Sequence, residues 1–492
     1  MNESIEPKLS SQRSSELRAV VAMSIPIVVT TASRALMSFV DFYMVTKLGE
    51  ESMAAIVPAG MTVFIYIALG MGCVMAVSTF ASQSLGRENF RECSAYAWQG
   101  VWLALVFALG GLALAPALRP VFALYGHAPG VAHQELIYAR IILLSVGPTV
   151  GAVALASFFN GIHKPRVTMF SALEANVINV VLNYCLIFGK FGFPEMGIAG
   201  AAWGTVAATA YRVIRLAVTM CLPRYHEKFA CRHTWRWSRQ RIVGLLRVGA
   251  PQGFQWLSDV LVWSLFVGWL IGTKFGTTAL AASNIAWQFM GLAFMPALGV
   301  GHAVSAMVGR AIGQGNPALA RRFVNIGVAI TTLYMFAVAV IYFVGRDWLV
   351  AQFLSPDVAN RAEVIAAAGA LLVCAAVFQV FDGAGMTYVS ALRGAGDTAW
   401  PAGMFIISHW VMVIGGGWTI IYLFPQWGPL GPWIAAAGLI IVTALLLGWR
   451  WMYGPWEKIQ LFKHEEPAAS QALEQPDEPD AEVIVAETPA AT

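Results

Sequence analysis

The chain has 492 residues, of which 58% are hydrophobic and only 12% are charged, and its mean hydropathy is +0.65. Charged residues make up about 25% of an average soluble domain. This composition therefore excludes a soluble globular protein and predicts one that crosses a membrane many times. The net charge of only +4 excludes a nucleic-acid-binding surface.

Twelve apolar runs follow one another along the chain, and each is long enough to cross a bilayer, which takes about 20 residues. Their predicted limits are 19–46, 53–80, 95–117, 134–160, 167–189, 198–222, 243–271, 279–307, 322–345, 362–391, 400–424 and 430–453. No cleavable signal peptide is expected, because the segment before the first run is polar and that run is too long for a signal sequence. The sequence predicts an all-α polytopic membrane protein with twelve transmembrane helices.

Basic residues are concentrated in alternate loops. The richest segment lies between the sixth and seventh runs and carries Arg224, Lys228, Arg232, Arg236, Arg239 and Arg241. Because Lys and Arg are retained on the cytoplasmic side of a membrane, we expect both termini in the cytoplasm and a multi-pass protein of the plasma (inner) membrane. The cysteines lie in apolar runs or near the reducing cytoplasmic side, so no disulfide is expected.

The sequence also repeats itself. Three positions recur at a constant offset of 227 residues: Gly49 as Gly276, Gly86 as Gly313 and Asn89 as Asn316. Each half holds six predicted helices, and an even number returns the chain to its starting side. The halves are therefore predicted to be parallel repeats related by a pseudo-two-fold axis along the membrane normal, with a binding site between them near the midplane.

This repeat divides the chain into five predicted segments. They are a cytoplasmic N-terminal segment, 1–18; an N-lobe of helices 1 to 6, 19–222; a basic cytoplasmic connector, 223–242; a C-lobe of helices 7 to 12, 243–455; and an acidic cytoplasmic tail, 456–492. The tail is rich in Pro and Ala and poor in aromatic residues, so we expect it to be disordered.

Three aspartates, Asp41, Asp259 and Asp382, each lie inside an apolar run. A charged side chain at the bilayer centre costs about 2.5–3.5 kcal/mol, so each carboxylate needs a partner, a water-filled cavity or a proton. The favoured interpretation is an ion or substrate pathway, and the alternative for each is a structural ion pair. Asp41 has Arg34 seven residues earlier on about the same helix face, which would favour its ionised form.

Other charged residues within apolar runs are interpreted as structural. Glu174 in the fifth run is expected to pair with Arg212 or Arg215 in the sixth and so to tie two helices together, while Arg34 pairs either with Asp41 or with this group. Neither reading of Arg34 is excluded by the sequence.

Polar residues at helical spacing predict the lining of a substrate cavity. They are Asn176, Asn179 and Asn183 in the fifth run, Gln255 beside Asp259 in the seventh, and Asn284 and Gln288 in the eighth. The alternative for the asparagines is hydrogen bonding between helices, which is common in membranes. The histidines His302 and His409 have no partner at ligand spacing and are interpreted as structural or solvent-reaching.

Several short motifs resemble those of the multidrug and toxic compound extrusion (MATE) family, in its NorM-like branch. They are Val40-Asp41 with Leu48-Gly49, Leu85-Gly86, Leu182-Asn183-Tyr184, Pro194-Glu195-Met196-Gly197, and Ala391-Leu392-Arg393-Gly394. The resemblance runs from about residue 17 to 453. It implies a cation-binding acid at Asp259 and another at Asp382, and a matching N-lobe aspartate at Asp41. Arg34 departs from the family pattern, where an uncharged polar residue is commoner.

The resemblance implies a secondary active antiporter that exports amphipathic, often cationic, drug-like compounds in exchange for Na⁺ or H⁺ by alternating access. A lipid-linked precursor flippase of the same superfamily is the alternative, although its cavity should be dominated by Arg and Lys. A membrane-embedded enzyme is less favoured, because no HExxH-type zinc motif occurs. We expect no cofactor, no metal site other than Na⁺ bound by Asp259 and Asp382, no nucleic-acid partner, and a monomer in the lipid bilayer.

Overall fold

The computed structural model of the chain describes residues 6–352, 354 and 360–462. It divides the chain into a large compact unit, Met1–Ile459, and a C-terminal unit, Gln460–Thr492. Only residues 460–462 of the second unit are described, so the predicted disorder of 463–492 lies outside the described residues. The transmembrane helices all lie in the large unit.

Long helices dominate the described part of this unit, and we number those that cross the membrane α1 to α12. They are α1 Glu6–Thr46, α2 Glu50–Gly86, α3 Phe90–Leu114, α4 Pro129–Leu143 with Val146–Gly161, α5 Pro165–Phe188, α6 Ile198–Cys221, α7 Arg239–Ser264 continuing as Leu265–Ile271, α8 Gly272–Gly313, α9 Pro317–Gln352, α10 Arg361–Ala395, α11 Ala399–Ser408 continuing through His409–Gly416 to Gly417–Leu423, and α12 Leu430–Tyr453.

The number of membrane crossings follows from the lengths of the helical stretches and from one break in the helical backbone. Nine helical stretches of the described chain are long and apolar enough to span, and two bent pairs raise this number to eleven. One of the nine, Arg239–Gly313, runs for 75 residues, far more than the ~20 that a crossing needs. Its backbone is not helical at Gly276, where φ is 77° and ψ is −169°. This stretch is therefore two crossings, α7 and α8, and the predicted all-α fold with twelve spans is confirmed.

The internal repeat is visible in the backbone at the ends of helices. Gly49, with φ 112° and ψ 176°, precedes α2, and Gly276 takes nearly the same conformation at the matching place in the second half. Asn89 accepts a hydrogen bond at Oδ1 from the backbone N–H three residues later, at 3.4 Å, and Asn316 does the same at 2.9 Å. The two halves thus begin corresponding helices with the same local structure.

The two halves pack through glycines that allow their backbones to touch. A side-chain carbon at Gly86 of α2 would collide with the backbone of Arg310 and Gly313 in α8, and one at Gly313 would collide with the backbone of Gln83. Gly72 of α2 is packed in the same way against Gly253 of α7. These close contacts require glycine, because any other residue would push the halves apart.

These contacts fall in the C-terminal halves of α2 and α8. Most residues of segments 70–84 and 297–311 are buried, whereas the earlier turns of both helices bury only part of their circumference. In those earlier turns Val57 is 54% exposed and Leu292 is 67% exposed. The halves are therefore held together at the end of the molecule that carries Gly86 and Gly313.

Residues predicted to form the connector and the start of the tail are packed on the helices. Trp98 of α3 donates a hydrogen bond from Nε1 to the carbonyl of Cys231 at 2.7 Å, and Arg241 forms an ion pair with Glu92 of α3 at 2.5 Å. Trp456 is fully buried and stacks on Trp451 with a centroid distance of 4.0 Å. The prediction of disorder from 456 onwards is wrong for this buried residue, because a large aromatic ring finds an apolar partner there.

Candidate functional site

The two acids of the predicted C-lobe line a single cavity. Asp259 comes from α7 and Asp382 from α10, and both border a space of about 330 Å³ enclosed by α7, α8, α10, α11 and α12. Carboxylate oxygens that converge on one cavity form a site that attracts a hard cation or a proton.

Asp259 has a partner that sequence reasoning missed. His409 of α11 places Nε2 3.3 Å from Asp259 Oδ1, and its Nδ1 lies 2.8 Å from the carbonyl oxygen of Phe405. A carbonyl only accepts, so Nδ1 carries a proton there, and Nε2 is the nitrogen that faces the carboxylate. The sequence offers no partner for His409 at ligand spacing, because this contact joins helices whose residues lie 150 positions apart in the sequence.

Both helices that form this pair depart from regular α-helix geometry nearby. α7 becomes a π-helix at Leu265–Ile271, shortly after Asp259, and α11 is a π-helix over His409–Gly416, beginning at the histidine itself. π-Helical turns are rare and occur frequently at functional sites.

Arg393 of α10, which belongs to the motif Ala391-Leu392-Arg393-Gly394, also lines the C-lobe cavity. Its side chain is 93% buried, and its Nη2 donates a hydrogen bond to Gln255 Oε1 at 3.0 Å. Gln255 also borders the cavity. By contrast, none of the described basic side chains lies within ion-pair distance of Asp382.

Two of the predicted cavity residues lie elsewhere. Asn284 and Gln288 are exposed and are not among the residues that border the cavity. The side of α8 that borders it carries Trp287, Met290 and Phe294 instead. The prediction for these two residues fails because four-residue spacing identifies a shared helix face but not the direction in which that face points.

The rest of the cavity wall is aromatic and apolar. Trp256 and Trp263 of α7 and Trp287 of α8 border it, and the rings of Trp263 and Trp287 lie 4.8 Å apart. Aromatic faces bind organic cations through the ring quadrupole. The cavity therefore combines acids with a surface suited to flat, lipophilic cations.

A second cavity, of about 400 Å³, lies in the N-lobe and is bordered by Asp41. Asn183 of α5 donates a hydrogen bond from Nδ2 to Asp41 Oδ1 at 2.6 Å. Asn183 and Asn179 are fully buried behind the aspartate and do not border the space, whereas Asn176 does. All three asparagines hydrogen-bond to a neighbouring helix, and Asn176, which donates to the carbonyl of Ser33, also borders the cavity.

The charged residues interpreted as structural separate into two groups. Glu174 accepts a hydrogen bond from Arg215 Nε at 3.1 Å and another from Tyr211 at 2.8 Å, which joins α5 to α6. Arg34 and Arg212 border the N-lobe cavity, and neither is within ion-pair distance of a described carboxylate. Arg34 contacts the sulfur of Met71 at 3.7 Å rather than Asp41.

Comparison with known proteins agrees with this architecture. The family model described as MatE matches residues 26–185 and 258–419. Proteins named "Probable multidrug resistance protein NorM" are 31% identical over 443 residues in Mesorhizobium japonicum, covering 89% of this chain and 94% of that protein, and 30% identical over 444 residues in Rhizobium meliloti, covering 88% and 92%.

A solved structure supports the fold. The crystal structure of MATE in complex with MaL6 superposes with a TM-score of 0.82 at 22% identity and covers 90% of this chain and 97% of that one. The resemblance seen in the short motifs is confirmed, because the family model matches more than half of the chain and the bacterial relatives span most of it. The chain belongs to the MatE family and is a multi-pass membrane transporter, not an enzyme.

Proposed function

We propose that the chain is a secondary active multidrug efflux antiporter that exports amphipathic, often cationic compounds in exchange for Na⁺ or H⁺. The observation that carries this proposal is the placement of Asp259 and Asp382 in one aromatic-walled cavity. A cationic compound and a coupling ion would compete for the same two carboxylates. Binding of the ion then releases the compound, and this competition couples their movements.

The coupling ion supplies the free energy. Inward movement of one monovalent cation is worth about 2.3 kcal/mol per 100 mV of membrane potential, before any concentration gradient is counted. The proximity of Asp259 and His409 supports H⁺ as that ion, because both side chains are groups that can bind a proton. The pair of carboxylates supports Na⁺, which prefers oxygen ligands. Efflux measured under an imposed Na⁺ gradient and under an imposed pH gradient separates the two ions.

Alternating access would occur by rocking of the two lobes. The contacts of Gly86 and Gly313 hold the lobes together at one end. The basic loops that contain Arg87 and Arg91 follow Gly86, so the predicted topology puts this end at the cytoplasm. The conformation described here is then closed to the cytoplasm, and both termini lie on that side of the plasma (inner) membrane. We propose that one monomer is the transporting unit.

The decisive experiment is efflux of a fluorescent cationic dye from proteoliposomes with imposed Na⁺ or pH gradients. Asp259→Asn and Asp382→Asn should each reduce gradient-driven efflux at least tenfold, because each removes a carboxylate for which ion and dye compete. Glu174→Gln is the matched control, since it neutralises an acid that lies in an apolar helix but pairs with Arg215. Undiminished efflux in both aspartate variants would overturn the proposal, and the gradient that drives wild-type efflux identifies the ion.

Asp41→Asn tests the N-lobe separately. Asp41 is held by Asn183 and shares its cavity with two arginines, so we expect a smaller loss of efflux than in the C-lobe variants. The alternative function, a lipid-linked precursor flippase, is favoured only by arginines that border the space between the lobes. Dye efflux that needs no ion gradient would count for it.

A further inference from the structure

A third cavity lies between the two lobes and is basic. It has a volume of about 140 Å³, and its lining includes Arg34 of α1, Arg212 of α6, His302 of α8 and Arg393 of α10. None of the described residues that border it is acidic. Three guanidinium groups and an imidazole from both halves of the chain therefore surround one small space.

The polar groups around this space are poorly satisfied within the described part of the chain. Arg212 Nε and His302 Nε2 are buried without any hydrogen-bond partner, and so is Ser390 Oγ, which borders the same cavity. Arg34 reaches only the weakly accepting sulfur of Met71. Buried polar atoms almost always have partners in folded proteins, so three unpaired buried polar atoms around one cavity, with the obligatory donor Arg212 Nε among them, point to a missing polar ligand.

The neighbouring acids do not supply that acceptor. Asp41 borders the N-lobe cavity and accepts from Asn183. Asp259 borders the C-lobe cavity and faces His409. Arginine stays charged in proteins, and Arg34 and Arg212 border the same small cavity, where like charges repel. An anion placed between the guanidinium groups would remove this repulsion and satisfy their donors, since Arg binds carboxylate and phosphate with paired hydrogen bonds.

We propose that this cavity binds the anionic group of a transported compound, such as a carboxylate, sulfonate or phosphate. One water occupies roughly 10–15 Å³ of such space, so the volume suits an anionic group with bound water but not a whole drug-sized molecule. Arg393 borders this cavity and the C-lobe cavity alike. The remainder of the compound can therefore lie against the C-lobe aromatics, with a positive group near Asp259 and Asp382.

This inference rests on the proposed function and adds to it a separate place in the fold for the anionic group of a transported compound. The structure places guanidinium groups between the lobes, carboxylates in the C-lobe, and Arg393 at the junction of the two cavities. A compound that carries both a negative and a positive group can therefore contact both sets of charges. A purely cationic compound would use only the C-lobe part of this arrangement.

The test is equilibrium binding of two dyes that differ in one charge. Rhodamine 19 carries a free carboxylate, and rhodamine 6G is its ethyl ester. Binding is measured by fluorescence anisotropy to protein in neutral phosphatidylcholine nanodiscs, without any gradient. The wild-type protein should bind rhodamine 19 more tightly than rhodamine 6G. Arg212→Gln and Arg34→Gln should each weaken rhodamine 19 binding at least tenfold while changing rhodamine 6G binding less than twofold.

Two further variants separate a role in binding from a role in folding. Arg215→Gln removes a positive charge three residues from Arg212 on the same helix, but Arg215 pairs with Glu174, so both dyes should bind as in wild type. Arg34→Lys keeps the charge and should restore part of the selectivity for the free acid. Equal losses for both dyes in Arg212→Gln and Arg34→Gln, or no loss for either, would overturn the inference.

A lipid headgroup is the other source of the same chemistry, and a second arm distinguishes it. If anionic lipid fills the cavity, adding phosphatidylglycerol to the nanodiscs weakens rhodamine 19 binding to wild type but not to Arg212→Gln, and the assignment to a transported compound is wrong. Equal effects on both proteins support the assignment. If the arginine variants lose dye selectivity while Asp259→Asn and Asp382→Asn both keep full efflux, the antiport proposal alone is wrong. If both aspartate variants lose efflux while the arginine variants keep dye selectivity, this inference alone is wrong.

Discussion

At the scale of single residues, the contact between Asp259 and His409 decides how the C-lobe acid is used. The histidine Nδ1 is held by the Phe405 carbonyl, which leaves Nε2 to face the carboxylate. A proton can then reside on either side chain of the pair, and a second acid, Asp382, lies in the same cavity. Both acids can be recognised in the sequence as charges within apolar runs, but His409 cannot be recognised there as the partner of Asp259.

We predict that Asp259 and His409 act as one unit. Asp259→Asn and His409→Gln should each lower gradient-driven efflux, and the double variant should be no worse than the more severe single one, because each change removes the same contact. Residues in direct contact typically show coupling of about 0.5–3 kcal/mol. The measurement is a double-mutant cycle on initial efflux rates, with the exposed His133→Gln as control. Independent, multiplicative losses would contradict the prediction.

At the scale of helices, the repeat is expressed as matched helix boundaries. Gly49 and Gly276 both combine a positive φ with an extended ψ, at the place where one crossing ends and the next begins. This region of backbone space is essentially restricted to glycine. The equal spacing of these glycines was readable in the sequence, because a conformational requirement of this kind fixes the residue type at each copy.

Gly49→Ala and Gly276→Ala should therefore destabilise the protein to a similar degree, by about 1–3 kcal/mol each, since a side chain is strained in this conformation. Thermal unfolding followed by tryptophan fluorescence in detergent measures the effect. Gly438→Ala is the control, because Gly438 lies in the helix α12 with open space around it. An unchanged melting temperature for Gly276→Ala would show that the break between α7 and α8 does not need glycine.

At the scale of the whole molecule, three cavities of different character are distributed over the two lobes. The C-lobe space contains two acids, the N-lobe space contains Asp41 with two arginines, and the space between them contains arginines and no described acid. The lobes close on one another where α2 and α8 meet through glycine. Any movement that opens this contact also changes the walls of the basic cavity, since residues from both lobes form it.

Gly313→Ala should shift the equilibrium away from the conformation described here. The added carbon would meet the backbone carbonyl of Gln83, and overpacking of this kind costs about 1–3 kcal/mol, which corresponds to roughly a 5- to 150-fold change in populations. Distances between spin labels on the two lobes at this end should lengthen. Gly438→Ala again serves as control, and an unchanged distance distribution in Gly313→Ala would contradict this account of lobe closure.

The sequence by itself determined the membrane class, the twelve helices, the repeat and the family, because each is a pattern along one dimension: apolar length, constant offset and short motifs. It also identified Asp41, Asp259 and Asp382, since a charge within an apolar run is conspicuous. Only the tertiary structure decided the partners. His409 lies 150 residues after Asp259, and the three arginines of the basic cavity come from α1, α6 and α10. Helical spacing shows which residues share a face, but the direction of that face depends on how the helices pack.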